Sequence, residues 1–175
     1  MFDQPYKFGS PLSKELGKDF HIYTEKYKFR AENIVYYILA ERYSKDIFII
    51  KFYPSRLEGC KEKRYSVLIN TGHAERILAT CLDLAKNIYL KVPSASFGFI
   101  GAPTYLTEKD YINTKRFRVY SKIAIDKFGP STFKHYSDPH QSSYLLVNSK
   151  IENQREFLEN AKSIFSDIYP VLEFN

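Results

Sequence analysis

Runs of β-branched and aromatic residues mark the strands that the sequence predicts. Residues 34–41 and 47–53 are two such runs, and the polar residues 44–46 between them favour a turn. Together they predict an antiparallel hairpin. Shorter runs of similar composition predict further strands at 65–69, 96–101, 132–136 and 143–147, and at 21–24 with 27–29 in either of two registers.

Three stretches carry apolar residues at spacings of three and four, which is typical of helices with one buried face. They run from 74 to 90, with Thr71 as a candidate N-cap, from 113 to 127 and from 152 to 169. The apolar stripes are Ala74, Ile77, Leu78, Cys81, Leu82, Ala85 and Ile88 in the first, Phe117, Tyr120, Ile123 and Ala124 in the second, and Phe157, Ala161, Ile164, Phe165 and Ile168 in the third. Each stripe is expected to face a core.

The order of these elements predicts a single domain of mixed α and β structure with a largely antiparallel sheet. Residues 1–20 contain two prolines and two glycines and are expected to form an irregular arm before the core of 21–175. A strand, a helix and a following strand normally form a right-handed parallel unit. We therefore expect one parallel crossover in the middle of the sheet, in which the 74–90 helix joins a strand ending at Asn70 to a strand beginning near Ser96.

Composition narrows the class of protein without indicating an activity. With 44% hydrophobic and 26% charged residues, the chain of 175 residues has the make-up of an ordinary globular domain. No apolar run reaches the roughly 20 residues that span a bilayer, and the start lacks a signal-peptide pattern. A cytoplasmic protein without a membrane partner is therefore expected. The formal charge of +6 and the pI near 9.1 favour anionic ligands or partners.

The cysteines and histidines argue against a metal site and against hydrolase chemistry. Cys60 and Cys81 have no partner at metal-ligand spacing, and the four histidines form no ligand pair. No Gly-x-Ser-x-Gly elbow occurs, and Asp138 and His140 fall in an expected loop between strands. We therefore expect no bound metal.

The segment from Asn113 to Tyr120 resembles a pattern of GNAT-type N-acetyltransferases. In that family an Asn at the end of the fifth strand is followed, seven residues later on the next helix, by a Tyr. The resemblance implies a GNAT-like fold, acetyl-CoA as the acyl donor and an amine as the acceptor. It also implies that Tyr120 is the general acid for the departing thiolate and that Asn113 contacts the cofactor. The residues alone allow another interpretation, in which Asn113 caps the helix and Tyr120 packs in the core.

The turn before the 74–90 helix corresponds to the place where the GNAT family holds the pyrophosphate of its cofactor. The family has Arg or Gln there, followed by two spaced glycines. In this chain the resemblance leaves Gly72 and His73 as the candidate cofactor contacts. Glu75 departs from the pattern, because negative charge in the first turn suits the helix dipole and not a pyrophosphate. An ordinary strand-to-helix turn is the alternative.

Three segments, 52–55, 95–102 and 113–120, also resemble a family of uncharacterised bacterial proteins. The resemblance runs from the second predicted strand to Asn148, and residues 96–102 are its most specific part. It implies no activity of its own.

A basic stripe on the 113–127 helix supports a second hypothesis. Lys115, Arg118 and Lys122 recur at spacings of three and four, whereas Arg116 lies elsewhere on the turn. Such a stripe is suited to nucleic-acid phosphates or an acidic protein, which would make the chain a non-catalytic interaction module. A solvated helix face explains the same residues.

Overall fold

One sheet and three α-helices make up the computed structural model, which describes residues 4–61, 63–67, 73–105 and 107–170. The strands are β1 (Ser13–Leu16), β2 (His21–Ala31), β3 (Ile34–Tyr43), β4 (Ile47–Pro54), β5 (Ser96–Ile100), β6 (Phe133–Asp138) and β7 (Ser143–Asn148). The helices are α1 (Ala74–Lys91), α2 (Lys115–Lys127) and α3 (Gln154–Ile168). Within the described ranges the sheet has the order β1-β2-β3-β4-β5-β7-β6, and only β4 and β5 pair in parallel. The predicted α and β class is confirmed, with a mostly antiparallel sheet.

The predicted hairpin is formed by β3 and β4, which pair from Tyr36 with Pro54 to Tyr43 with Ile47. A single 3-10 turn, Ser44–Asp46, connects them. The first predicted strand, for which the sequence allowed two registers, is the single strand β2. It pairs with β3 along its length apart from a register shift near His21.

The parallel crossover differs from the prediction in its first strand. The parallel partner of β5 is β4, which was predicted only as half of the hairpin. Residues 65–67 are not a strand, and the amides of Ser66 and Val67 bond to the carbonyl of Lys63 in a turn. Asn70 and Thr71 lie outside the described residues. β4 takes this place because it is the longer apolar run. It hydrogen-bonds to β3 along one edge and offers the backbone groups of its other edge to β5.

The N-terminal arm is more ordered than its prolines and glycines predicted. Ser13–Leu16 form β1, an exposed edge strand on β2. Closer to the N-terminus, the Tyr6 amide donates to the Thr80 hydroxyl at 2.9 Å, and the Tyr6 side chain is buried. The arm is therefore anchored on both the sheet and α1.

Two cores lie on opposite faces of the sheet. The larger is covered by α1 and α2 and contains Phe48 from β4 and Phe117 from α2. The smaller is covered by α3 and contains Ile49 from β4 with Phe165. Because neighbouring strand residues point to opposite faces, β4 contributes to both cores. Burying each of these side chains stabilises the fold by roughly 1.5–3 kcal/mol.

The predicted helices are confirmed, and two of them begin with side-chain caps. The Thr114 hydroxyl accepts from the Phe117 amide at 3.2 Å, and the Asn153 side chain accepts from the Glu156 amide at the same distance. The N-cap position of α1 is His73, which makes no such bond. No helix among the described residues is both long and apolar enough to cross a bilayer.

Candidate functional site

The site begins where β4 and β5 part. Their parallel ladder consists of the pairs Ile47 with Ser96, Phe48 with Phe97 and Ile49 with Gly98. Beyond Ile49, β4 stays paired with β3, and beyond Gly98, β5 stays paired with β7. A gap therefore opens inside the sheet although each strand keeps one hydrogen-bonded neighbour.

A cavity of about 560 Å³ fills this gap and extends to both helices on the α1 side of the sheet. Its walls include the parted strands, the first turn of α1 through Ala74 and Glu75, and α2 through Lys115, Arg116 and Tyr120. A smaller apolar cavity of about 100 Å³ adjoins it and shares the Tyr120 wall. The larger volume lies within the range of about 300–1,000 Å³ that is usual for small-molecule sites.

Tyr120 lies across the gap between the two strands. Its ring centroid is 5.5 Å from that of Phe99 on β5 and 6.4 Å from that of Phe52 on β4. Burial raises the pKa of the phenol, and the hydrogen-bonded Arg116 guanidinium opposes part of that rise. The phenol is therefore protonated at neutral pH and able to donate a proton. Its side chain is half-buried, and it both packs against these two rings and lines the cavity.

Asn113 is close to the site in sequence but does not line the cavity. It is exposed, its φ of 46° is left-handed, and its amide donates to the Pro139 carbonyl at 2.7 Å. The helix cap is Thr114, so the alternative in which Asn113 caps α2 is wrong. Thr114 also donates to the Gly101 carbonyl at 2.6 Å, which fixes the start of α2 to the end of β5.

The predicted phosphate turn is only partly described. His73 is half-buried at the start of α1, and its carbonyl accepts from the Ile77 amide. His73 does not line the cavity, whereas the next two residues, Ala74 and Glu75, do. Gly72 lies outside the described residues.

Two arginines that were not among the predicted site residues, Arg64 and Arg116, are in the cavity wall. Arg116 donates to the carbonyls of Ala102 and Val67, at 3.0 and 3.3 Å, and so joins α2 to the segments that follow β5 and precede α1. Arg64 stacks against the rings of Tyr53 and Tyr65. Spacing provides one signal for Arg116, which stands one helical turn before Tyr120. The polar run around Arg64 carried no such signal.

The predicted basic stripe is exposed to solvent along α2. Lys115, Arg118 and Lys122 are all exposed. Lys115 also borders the cavity, and Arg118 donates to the Asn113 carbonyl. The stripe and the site thus share one helix.

The described residues contain no group of three or more His, Cys, Asp or Glu side chains placed to hold a metal ion. Fold and site together define an α+β protein with a small-molecule-sized cavity in a parted sheet. No protein-family model, no curated protein and no solved structure matches the chain.

Proposed function

We propose that this protein is a GNAT-like acyltransferase that transfers an acetyl group from acetyl-CoA to an amine. The observation that carries the proposal is the parting of β4 and β5 beneath Tyr120, because the family binds its thioester in such an opening. The strand order, with one parallel pair beside an inserted β7, supports the same class. A fold can host many functions, so the proposed activity rests on the site and not on the topology.

The residues present fit the donor in shape and in charge. An extended amide-containing chain can lie along β4, since β5 supplies no backbone partners beyond Ile49. Among the described charged residues that α1 and α2 contribute to the cavity wall, Lys115 and Arg116 outnumber Glu75. That excess of positive charge suits a ligand that carries phosphate groups. Acetyl-CoA supplies an activated acyl group bonded to sulfur.

In the proposed reaction an amine nitrogen bonds to the acyl carbon, the carbon–sulfur bond breaks, and the electron pair leaves with sulfur. Tyr120 donates its phenolic proton to that sulfur. The proton lost by the amine passes to solvent, from which the phenol is restored. The Arg116 guanidinium limits the rise in the pKa of the phenol. A positioned proton donor of this kind typically contributes about 10²–10⁴-fold to a rate.

Titration calorimetry with acetyl-CoA tests the proposal, with thermal unfolding as a second readout. Saturable heat and a melting temperature that rises with the logarithm of ligand concentration are expected. Acetyl transfer to a panel of primary amines is then followed by the release of free thiol. If millimolar acetyl-CoA produced no binding heat and no stabilisation, the proposal would be ruled out.

The exposed stripe of Lys115, Arg118 and Lys122 supports a second candidate function, binding of nucleic acid or an acidic protein. Its basis is that three cations are exposed at helical spacing on one element. Affinity of that kind falls steeply with salt.

A further inference from the structure

The cavity has a second end on the opposite face of the sheet from Tyr120. On β4, Phe52 contacts the Tyr120 ring, whereas the next residue, Tyr53, contacts Arg64. Consecutive strand residues point to opposite faces, so Arg64 and Tyr120 approach the gap from different sides. A molecule entering beside Arg64 would meet a ligand held beneath Tyr120 inside the sheet.

Aromatic rings flank the Arg64 guanidinium, and one of its own hydrogen-bond donors is unused. Its Cζ atom lies 4.5 Å from the ring centroid of Tyr53 and 4.9 Å from that of Tyr65. The Nε atom is buried and has no hydrogen-bond partner, and among the described residues Arg64 forms no ion pair. A buried donor without an acceptor costs about 1–3 kcal/mol, so an acceptor at this position would be stabilising.

The neighbouring cation is already neutralised. Lys51 lines the same end of the cavity, and its Nζ lies 2.9 Å from a carboxylate oxygen of Glu41. The two cations, together with a hydrogen bond from Arg64, offset part of the rise that burial gives to the pKa of the Tyr65 phenol. Arg64 therefore supplies the positive charge that remains for a ligand at this end.

We propose that Arg64 binds an anionic group, a carboxylate or a phosphate, on a second molecule that enters from this face. Planar guanidinium groups bind such anions with two parallel hydrogen bonds, and stacking on tyrosine rings holds the plane in place. If the proposed function is right, on which this step rests, the second molecule is the acyl acceptor. The acceptor class is then an amine that also carries an anionic group.

Calorimetry with succinate and with inorganic phosphate, in low-chloride buffer without acetyl-CoA, tests the anion site directly. The wild-type chain is compared with Arg64→Gln and with the exposed control Arg56→Gln, which removes the same charge outside the cavity. At least one anion should bind the wild type and the control, and bind Arg64→Gln about tenfold or more weakly, since charged hydrogen bonds are worth that much. The anion that binds identifies the group as carboxylate or phosphate.

No binding of either anion to the wild type, or equal binding to Arg64→Gln, overturns the proposal. If circular dichroism finds Arg64→Gln unfolded, Arg64→Lys replaces it, because lysine keeps the charge and loses the planar fork. That variant should bind the anion several-fold more weakly than the wild type does, and equal binding would also overturn the proposal.

A second titration, with acetyl-CoA at saturation, separates the two sources of anion. Undiminished binding of the small anion supports a second molecule, whereas competition would assign Arg64 to the cofactor's own phosphates and overturn the proposal. A chain that binds the small anion but not acetyl-CoA would refute the proposed transferase and leave the anion site in place.

Discussion

Ile49 on β4 and Gly98 on β5 form the last pair of the parallel ladder. Both strands continue beyond this pair, and each retains its antiparallel neighbour, β3 or β7. A sheet can therefore open here without losing all the hydrogen bonds of either strand. The main-chain edge that β4 turns toward β5 is left available inside the cavity.

Replacing Tyr120 with phenylalanine should separate the role of the hydroxyl group from that of the ring. The ring keeps its contacts with Phe52 and Phe99, so stability and the KM for acetyl-CoA should change little. The loss of the proton donor should lower kcat by about 100-fold. Steady-state kinetics on Tyr120→Phe, with Tyr23→Phe as a control outside the cavity, would measure this. A Tyr120→Phe variant with full kcat would contradict the role of the phenol.

Gly101 sits where the end of β5 meets the start of α2. A Cβ at this position would lie 2.5 Å from the backbone nitrogen of Phe117, and backbone cannot move aside cheaply. Gly101→Ala should therefore lower the free energy of unfolding by about 1–3 kcal/mol. Urea denaturation would measure the change against Gly59→Ala, whose added Cβ would meet nothing within 4 Å. Equal midpoints for the two variants would show that α2 can shift without cost.

The two thiols should differ sharply in reactivity. Cys60 is exposed, whereas Cys81 is buried on α1. Burial disfavours the thiolate and raises the pKa of Cys81 to about 12, so at pH 8 this residue remains a thiol. A chromogenic disulfide reagent should label one thiol in the native protein and two in denaturant. Cys60→Ser should show no fast phase, and a fast phase in that variant would mean that Cys81 is accessible.

Asp46 should stabilise the fold in a pH-dependent manner. Burial opposes its ionisation, but hydrogen bonds from Ser94 and Arg42 outweigh this and lower the pKa of the carboxyl group. A lowered folded-state pKa adds stability above the ordinary value of about 3.9, and that stability is lost as the pH falls through the folded value. Asp46→Asn should therefore cost about 1 kcal/mol at pH 7, because the pair is partly exposed.

The difference between Asp46→Asn and the wild type should shrink toward zero in acid. Asparagine tolerates the left-handed backbone at position 46, where φ is 55°, so the substitution isolates the charge. Urea titrations between pH 7 and pH 2, with the exposed Asp126→Asn as a control, would measure it. A difference that stays constant with pH would point to packing and not to ionisation.

Charge reversal on α2 should distinguish the two candidate functions. The double variant Arg118→Glu/Lys122→Glu leaves every described lining residue of the cavity unchanged, so it should bind acetyl-CoA as the wild type does. Single-stranded RNA binding should be absent in both proteins if the stripe is only a solvated face. Salt-dependent RNA binding by the wild type that disappears in the double variant would favour the interaction module instead.

The position of Asn113 was only partly predictable from the short motif that it shares with Tyr120. Its spacing from Tyr120 indicated a shared site, and Tyr120 is on the expected helix, but Asn113 lies in the loop between β5 and α2. The side chain that caps α2 and meets β5 is nevertheless Thr114, one residue later. A cap depends on the local path of the chain, which in this loop is set by the Pro139 carbonyl and Ser142. Those partners lie more than twenty residues away and leave no mark on the spacing.

Local patterns determined most of the secondary structure by themselves. The apolar runs that became β3 and β4, and the stripes that became α1, α2 and α3, were sufficient because periodicity records which side of an element will be buried. They also determined that the sheet is mostly antiparallel, since short polar connections join most consecutive strands.

Only the tertiary structure decided which strand meets β5 and which cations face inward. Strand pairing is a long-range choice, and both β4 and the shorter run at 65–69 were candidates for the partner of β5. An arginine such as Arg64 or Arg116 has the same sequence context whether it faces solvent or a cavity. What differs is the desolvation of its guanidinium, which exists only after the chain has folded around it.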